Sequence, residues 1–250
     1  MNPADAEKEK RGIMIDGVKT YPKAKPIKML RIFRTKFKHL KEAEEEIQRV
    51  KIIQSYLAPE YMALSSEFLV DFMGHSKREL ILCGLQEYVQ GESINPWSDL
   101  DASHLIALLE RMDLTKNEAS SERTEKWLQG VREKTKGFLE KLKKMIREAN
   151  YIPDLAGSGN LILTISGYIK LVDINNISRV SCDPTIPLDD RGYPVCDKSI
   201  QALSLLERTI LGRSLNRDDM IYAMFLDPER MKGVRSLEQK FHEKGALVKK

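Results

Sequence analysis

The order of elements along the chain predicts an α+β fold in two lobes. Three observations predict it. Short apolar runs of strand character cluster before residue 94, around a single Glu-rich helix. A polar stretch with Gly and Pro, Gln90-Gly91-Glu92-Ser93-Ile94-Asn95-Pro96-Trp97, then interrupts the pattern. Beyond it helical periodicity dominates, broken by one apolar hairpin between Tyr151 and Ser178. The expected division is a leader over 1–11, a strand-rich first lobe over 12–93, and a helical second lobe over 94–250 that carries the hairpin region 151–178.

Composition narrows the class. An apolar fraction of 42% is enough to build a core, while a net charge of +4 over 250 residues is too mild to argue for nucleic acid. The three cysteines, Cys83, Cys182 and Cys196, have no regular spacing, which fits reduced thiols and a cytoplasmic protein. No apolar run approaches the roughly 18 residues of a membrane span. The opening MNPADAEKEKRG is polar and lacks the apolar centre of a secretory signal, so it is expected to be a disordered leader.

The elements follow in order. Ile13-Met14-Ile15 and Ile27 to Phe33 are apolar enough for strands, with Asp16-Gly17 as a turn signal between them. From His39 to Leu57, Ala43, Ile47, Val50 and Leu57 recur at helical spacing, and Pro59 marks the end. Phe68 to Phe72 and Leu80 to Val89 are the next strands, joined by a turn at Met73-Gly74-His75-Ser76. Asp101 to Met112 is a short helix, Thr115 to Thr124 a charged connector, and Glu125 to Ala149 a long amphipathic helix. That helix carries Leu128, Val131, Phe138, Leu142, Met145 and Ile146 on one face, and Asn150 can end it.

The hairpin comes next: a loop from Tyr151, a strand from Leu161 to Ile165, a Ser166-Gly167 turn, and a strand from Tyr168 to Val172. Beyond it, Ser181 to Val195 is a Pro- and Asp-rich loop, and Asp197 is placed to cap a helix over Lys198 to Gly212. A short helix is expected from Arg217 to Leu226. The remainder from Glu229 is a tail of mixed charge.

Three polar residues sit at the hairpin's ends. Asp154 and Asn160 precede the first strand and Asp173 closes the second, so a chain that goes out and returns brings them to one edge. Two carboxylates and an amide form an oxygen-rich corner of the kind that holds Mg²⁺ against phosphates. Each has a plainer reading: Asp154 as an Asx-turn residue, Asn160 as a polar opening to a strand, and Asp173 as a strand-ending turn residue. His39 and His75 lack Cys, Asp or Glu partners at ligand spacing and read as surface residues. The basic run from Lys19 to Lys41 lacks interleaved aromatics and reads as a solvated face.

These residues, in this order, resemble the protein-kinase-like superfamily, which includes small-molecule phosphotransferases such as the aminoglycoside and choline kinases. The resemblance spans about residues 25 to 210. It rests on Asp154, Asn160 and Asp173, on the long helix that feeds them, on the strand and hinge LILCGLQEYVQGES from Leu80 to Ser93, and on a Lys-bearing strand followed by a Glu-rich helix. The step from Asn160 to Asp173 is thirteen residues (173 − 160), as is usual in the family.

The resemblance implies a two-lobed kinase-like fold, ATP and Mg²⁺ as cofactors, and transfer of the γ-phosphate to a hydroxyl of a protein or small molecule. It implies Asp154 as the catalytic residue that orients the acceptor hydroxyl, and Asn160 and Asp173 as metal ligands. Backbone around Gln86, Glu87, Tyr88 and Val89 would meet the adenine. Lys28, with Arg31 as alternative, would contact the phosphates, and Glu46, with Glu45 or Glu44 as alternatives, would pair with it.

The chain also departs from the pattern. Asp154 to Asn160 is a step of six (160 − 154), one more than the family's catalytic-loop motif, and Gly157 and Gly159 are available to absorb it. Ile152 stands where the family has His, and Ile174-Asn175 where it has Phe-Gly. No G-x-G-x-x-G precedes Lys28, so the first lobe is short or degenerate. These departures carry the alternative expectation: a pseudokinase that binds or scaffolds without transfer.

Overall fold

Helix α1, Pro3–Arg11, opens the chain because its ends are written locally. The Asn2 side chain accepts from the Ala4 N–H, Pro3 occupies the first turn with Asp5, Lys8, Lys10 and Arg11 fill the last, and Gly12 ends it. None of its residues is buried, so these local signals hold a helix where an unordered leader was expected. The computed structural model describes residues 2–74, 77–112, 121–181, 183–216 and 218–247. The expected turn at His75-Ser76, with the surface reading of His75, lies outside the described residues, as do Cys182, Arg217 and most of the 115–124 connector.

The described residues form an α+β protein with four small sheets. The chain divides into two compact units, 1–45 with 63–88, and 46–62 with 89–250. Helix α2, Leu40–Leu57, runs from the first into the second.

In the first unit, β1 (Ile13–Ile15) and β2 (Val18–Thr20) form a hairpin closed by Asp16 and Gly17. Both turn residues have positive φ, 48° and 77°, the backbone that a two-residue hairpin loop of matching twist demands. A second, three-stranded antiparallel sheet has the order β3-β5-β4, from β3 (Lys28–Phe37), β4 (Ser65–Gly74) and β5 (Lys77–Glu87). Strands β3 and β4 run past the expected Phe33 and past both ends of Phe68 to Phe72, because polar residues continue the ladder; β5 starts three residues before the expected Leu80 and stops at Glu87, two short of Val89. One face, with Arg31, Phe33, Leu82 and Gln86, is buried; Leu30, Ile32, Phe68 and Leu85 stand on the other and are exposed.

In the second unit the core is built on two helices, α4 (Ser121–Ala149) and α5 (Val195–Leu211). The expected face of α4 is buried throughout, with Val131, Phe138, Leu142 and Met145 fully so, each contributing about 2 kcal/mol of transfer free energy. Ile200, Leu203, Leu206 and Ile210 bury the matching face of α5. Helix α3 (Ala102–Met112) packs by α4, and α6 (Met220–Phe225), capped by Asp219, packs by α5.

Two stretches read from sequence as irregular are ordered. The polar junction contains β6 (Glu92–Ile94), which pairs with β8 (Leu161–Leu163) and extends the β8–β9 hairpin (β9, Ile169–Leu171) to three strands. Gly91 is required there: a Cβ would overlap the Leu163 carbonyl and sit 2.7 Å from Ile162 Cγ2. The charged tail is helix α7, Pro228–Leu247.

One assignment is corrected outright. Asp197 caps no helix. Helix α5 begins two residues earlier, after Pro194, and the Asp197 carboxylate is fully buried. It takes both Nε and Nη2 of Arg230, from α7, at 2.6 and 3.2 Å. A buried charge needs a partner, and the partner here is thirty-three residues away in sequence (230 − 197).

Candidate active site

Helix α4 stops where Asn150 takes a left-handed backbone, φ 57°. The next residues form β7 (Tyr151–Pro153), paired antiparallel with β10 (Ile177–Arg179). This pairing, missed in the sequence because each strand is three residues long, fixes the position of Asp154. The Asp154 N–H donates to the Asn176 carbonyl at 3.0 Å, continuing the ladder by one rung.

The loop from Asp154 to Asn160 folds on its own side chains. Asp154 Oδ1 accepts from the N–H of Ala156 at 2.9 Å and of Gly157 at 3.0 Å, an Asx-type turn. Asn160, almost fully buried, donates from Nδ2 to the Asp154 carbonyl at 2.8 Å. Gly157 makes room for that amide, since a Cβ there would overlap it and lie 2.8 Å from Asn160 Cγ. Gly159 supplies positive φ, 84°. The two glycines accommodate the six-residue step in different ways, one by space and one by backbone angle.

The loop is held from two further sides. The Leu155 N–H donates to Ser199 Oγ of α5 at 3.1 Å, in the buried interior. Trp97 Nε1 donates to the Ala156 carbonyl at 3.3 Å, and its ring lies 4.0 Å from Lys198 Nζ. Lys198 in turn pairs with Glu238 of α7 at 2.9 Å.

Asn160 and Asp173 meet across the hairpin. The Val172 N–H donates to the Asn160 carbonyl at 2.9 Å, which sets Asn160 beside the residue before Asp173. Asp173 Oδ1 accepts from the Asn175 N–H at 3.0 Å. The second carboxylate oxygens of Asp154 and Asp173 and the amide oxygen of Asn160 have no hydrogen-bond partner among the described residues.

Electrostatics tie the two carboxylates together. Burial raises the Asp154 carboxyl above its ordinary range; the two backbone N–H donors and Arg191 work against that, and the negative charge of Asp173 adds to it. The loop at Asp189 closes this corner. Asp189 accepts from the N–H groups of Arg191 and Tyr193 and from Asn176 Nδ2, at 2.9, 2.8 and 3.3 Å. Burial opposes its charge, but those donors and the Arg191 guanidinium outweigh it and hold the carboxyl below its usual range. Asn176, Asp189, Arg191, Ser199 and Trp97 were not among the expected site residues; Asp189 and Arg191 lie in the Pro- and Asp-rich loop read over Ser181 to Val195.

The remaining expected site residues lie on other elements. Lys28 is exposed at the start of β3, opposite Glu87. The buried cation of that strand is its alternative, Arg31, paired with Glu67 of β4 at 3.3 Å. Glu46 pairs with Arg49, one turn along α2, at 2.9 Å, and burial raises its carboxyl despite that neighbour. Gln86 is buried at the end of β5, while Tyr88 is exposed. The Glu87 and Tyr88 N–H groups already donate to Leu64 and Ile27, so Val89 is the first residue after them whose N–H lacks a partner among the described residues.

No family model and no curated protein matches the chain.

As a donor set, the corner offers oxygen atoms and no sulfur or imidazole, which suits Mg²⁺ and not Zn²⁺. Among the described residues no group of three or more His, Cys, Asp or Glu is arranged to hold a metal ion. Cys83 and Cys196 are buried free thiols, and burial pushes Cys196 up to about 12, which excludes it as a nucleophile at neutral pH. Among the described residues no helix is long and apolar enough to cross a membrane.

Proposed function

We propose that this chain is an ATP- and Mg²⁺-binding protein of the kinase-like class, acting in the cytoplasm, which transfers the γ-phosphate to a hydroxyl of a protein or small molecule. The observation that carries the reading is the trio of uncommitted oxygens on Asp154, Asn160 and Asp173, gathered at the end of one hairpin. Element order supports it: a three-stranded sheet with a helix inserted after its first strand, then helices, then the paired ribbons β7–β10 and β8–β9 around the loop.

In this reading Asn160 Oδ1 and the free Asp173 oxygen hold Mg²⁺, which when bound neutralises charge across the phosphates. The Asp154 oxygen that faces no N–H accepts the proton of the acceptor hydroxyl. Its burial suits it, since a carboxyl with a raised affinity for protons is a better base. The turn hydrogen bonds on the other oxygen aim it, and catalysis is largely such positioning. Val89 offers the N–H that an adenine needs.

A second reading is favoured by a specific observation. Asp154 spends one oxygen capping its own loop, Glu46 is paired within its helix, and no Gly-rich phosphate loop precedes β3. A nucleotide-binding pseudokinase accommodates all three. Thermal unfolding with ATP, with and without Mg²⁺, separates the cases. A metal-dependent rise in Tm that Asp173→Ala abolishes supports a working metal site. No rise at about 1 mM ATP sinks both nucleotide readings, because a ligand that binds only the folded state must stabilise it once present near its Kd. A rise without phosphate release or transfer selects the pseudokinase.

A further inference from the structure

Strand β3 is an edge of its sheet: it pairs with β5 on one side, and no described strand pairs with the other. Its regular pairing with β5 runs from Lys28 to Ile32 and resumes at Lys36 after an irregularity, and the outer edge of that regular run presents a row of unpaired backbone groups. Its exposed side chains are ordered along the strand. Lys28 stands at the start; Leu30 and Ile32, 62% and 63% exposed, follow; Lys36 stands near the end, and Lys38 is the residue just past it.

The face beside this edge is apolar and open. Ile32 lies opposite Cys83, which lies opposite Phe68, and Leu30 lies opposite Leu85. Phe68, Phe72 and Leu85 on that face are each at least 40% exposed. An open apolar sheet face next to an open edge marks an interaction surface. Its electrostatics specify the partner. Between Gly17 and Lys41 the chain carries nine Lys and Arg and no Asp or Glu. Lys23, Lys25, Lys28, Lys38 and Lys41 are exposed and form no ion pair among the described residues.

We infer that β3 is a docking edge for an extended segment of another protein, apolar at its centre and acidic at both ends, which adds to the sheet as a fourth strand. Backbone pairing supplies the binding, Leu30 and Ile32 take the segment's alternate apolar side chains, and the flanking lysines take its acidic ends. A second copy of this chain is the wrong partner, because β3 beside β3 sets lysine against lysine. A nucleic acid has no use for exposed Leu and Ile, and a lipid surface has none for a strand edge.

The test uses the full chain and a fluorescent peptide of the length of β3, with paired Glu at each end and alternating Val and Thr between. Binding is expected to weaken as salt is raised and to fall by at least about tenfold in Ile32→Asp. The same peptide with alternate backbone nitrogens methylated keeps its charge and side chains but is not expected to bind. Ile32 is exposed, so the variant should keep its melting curve; Lys25→Glu/Lys38→Glu provides a second loss of binding should it not. Equal binding of the methylated peptide, or of one with Lys for Glu, overturns the proposal, as does no binding at about 1 mM peptide. Retention by phosphatidylserine vesicles or single-stranded RNA without peptide binding, or self-association through this edge by sedimentation, overturns it in favour of those partners.

Discussion

Asn160 donates its side-chain amide to the carbonyl of Asp154, six residues earlier, and so closes the loop between them. The bond does two things at once. It satisfies a nearly buried amide, and it leaves the acceptor end of that amide without a hydrogen-bond partner among the described residues.

The space for this bond comes from Gly157. In Gly157→Ala the new Cβ would overlap the Asn160 amide, which has to leave its position or push the loop apart. The expected cost is about 1–3 kcal/mol of stability, from one buried hydrogen bond lost and an amide left unsatisfied. Chemical denaturation measures it. Mg²⁺-dependent stabilisation by ATP should disappear in the same variant.

Asp154→Asn should separate folding from chemistry. The carboxyl is raised in the folded state, chiefly by burial, so ionising it opposes folding. Protonated, it costs nothing, so wild-type stability from this group is complete below the ordinary carboxylate range and is lost as pH rises through the raised value. The variant cannot ionise, and its Oδ1 still accepts from Ala156 and Gly157. Relative to wild type it should therefore gain stability at neutral pH, and the gain should vanish at acid pH. Melting curves across pH show this; phosphate transfer should be lost throughout.

At Gly91 the obstacle is backbone, not a side chain that can swing aside. A methyl group there meets the Leu163 carbonyl directly, so β6 has to leave the hairpin. Gly91→Ala should destabilise the protein by about 2–4 kcal/mol, more than Gly157→Ala, and hydrogen exchange should show the β6–β8 amides losing protection first.

The buried pair between Asp197 and Arg230 gives a graded prediction. Arg230→Ala leaves a fully buried carboxylate without its cation and should cost about 3–5 kcal/mol. Combining it with Asp197→Leu removes the stranded charge and should recover much of that loss. Denaturation midpoints of the two singles and the double measure the coupling.

Much of the fold was legible because period and burial agree. The faces of α4 and α5 were read from their apolar spacing, and those residues are buried. Long-range pairing was not legible. An Asp at a helix start looks the same whether it caps the helix or waits for an arginine in another helix, which is how Asp197 was misread. Helix α7 hides in mixed charge because its apolar residues are few, and it is held by single groups of its own, such as Arg230 on Asp197 and Glu238 on Lys198. At the site, Asn160 and Asp173 were marked by their spacing across a hairpin. The contributions of Asn176, Asp189 and Arg191 were not, because they arrive through a loop whose course no local periodicity records.

Helix α7 supplies the partners of two α5 side chains, Arg230 for Asp197 and Glu238 for Lys198, and α5 in turn anchors the loop at Leu155 through Ser199. A stop codon after α6 would remove no residue of the oxygen corner and yet strip both counter-charges from the helix that seats it. A gene shortened there should give a product that misfolds or is degraded, even though every residue proposed to act on phosphate is still encoded.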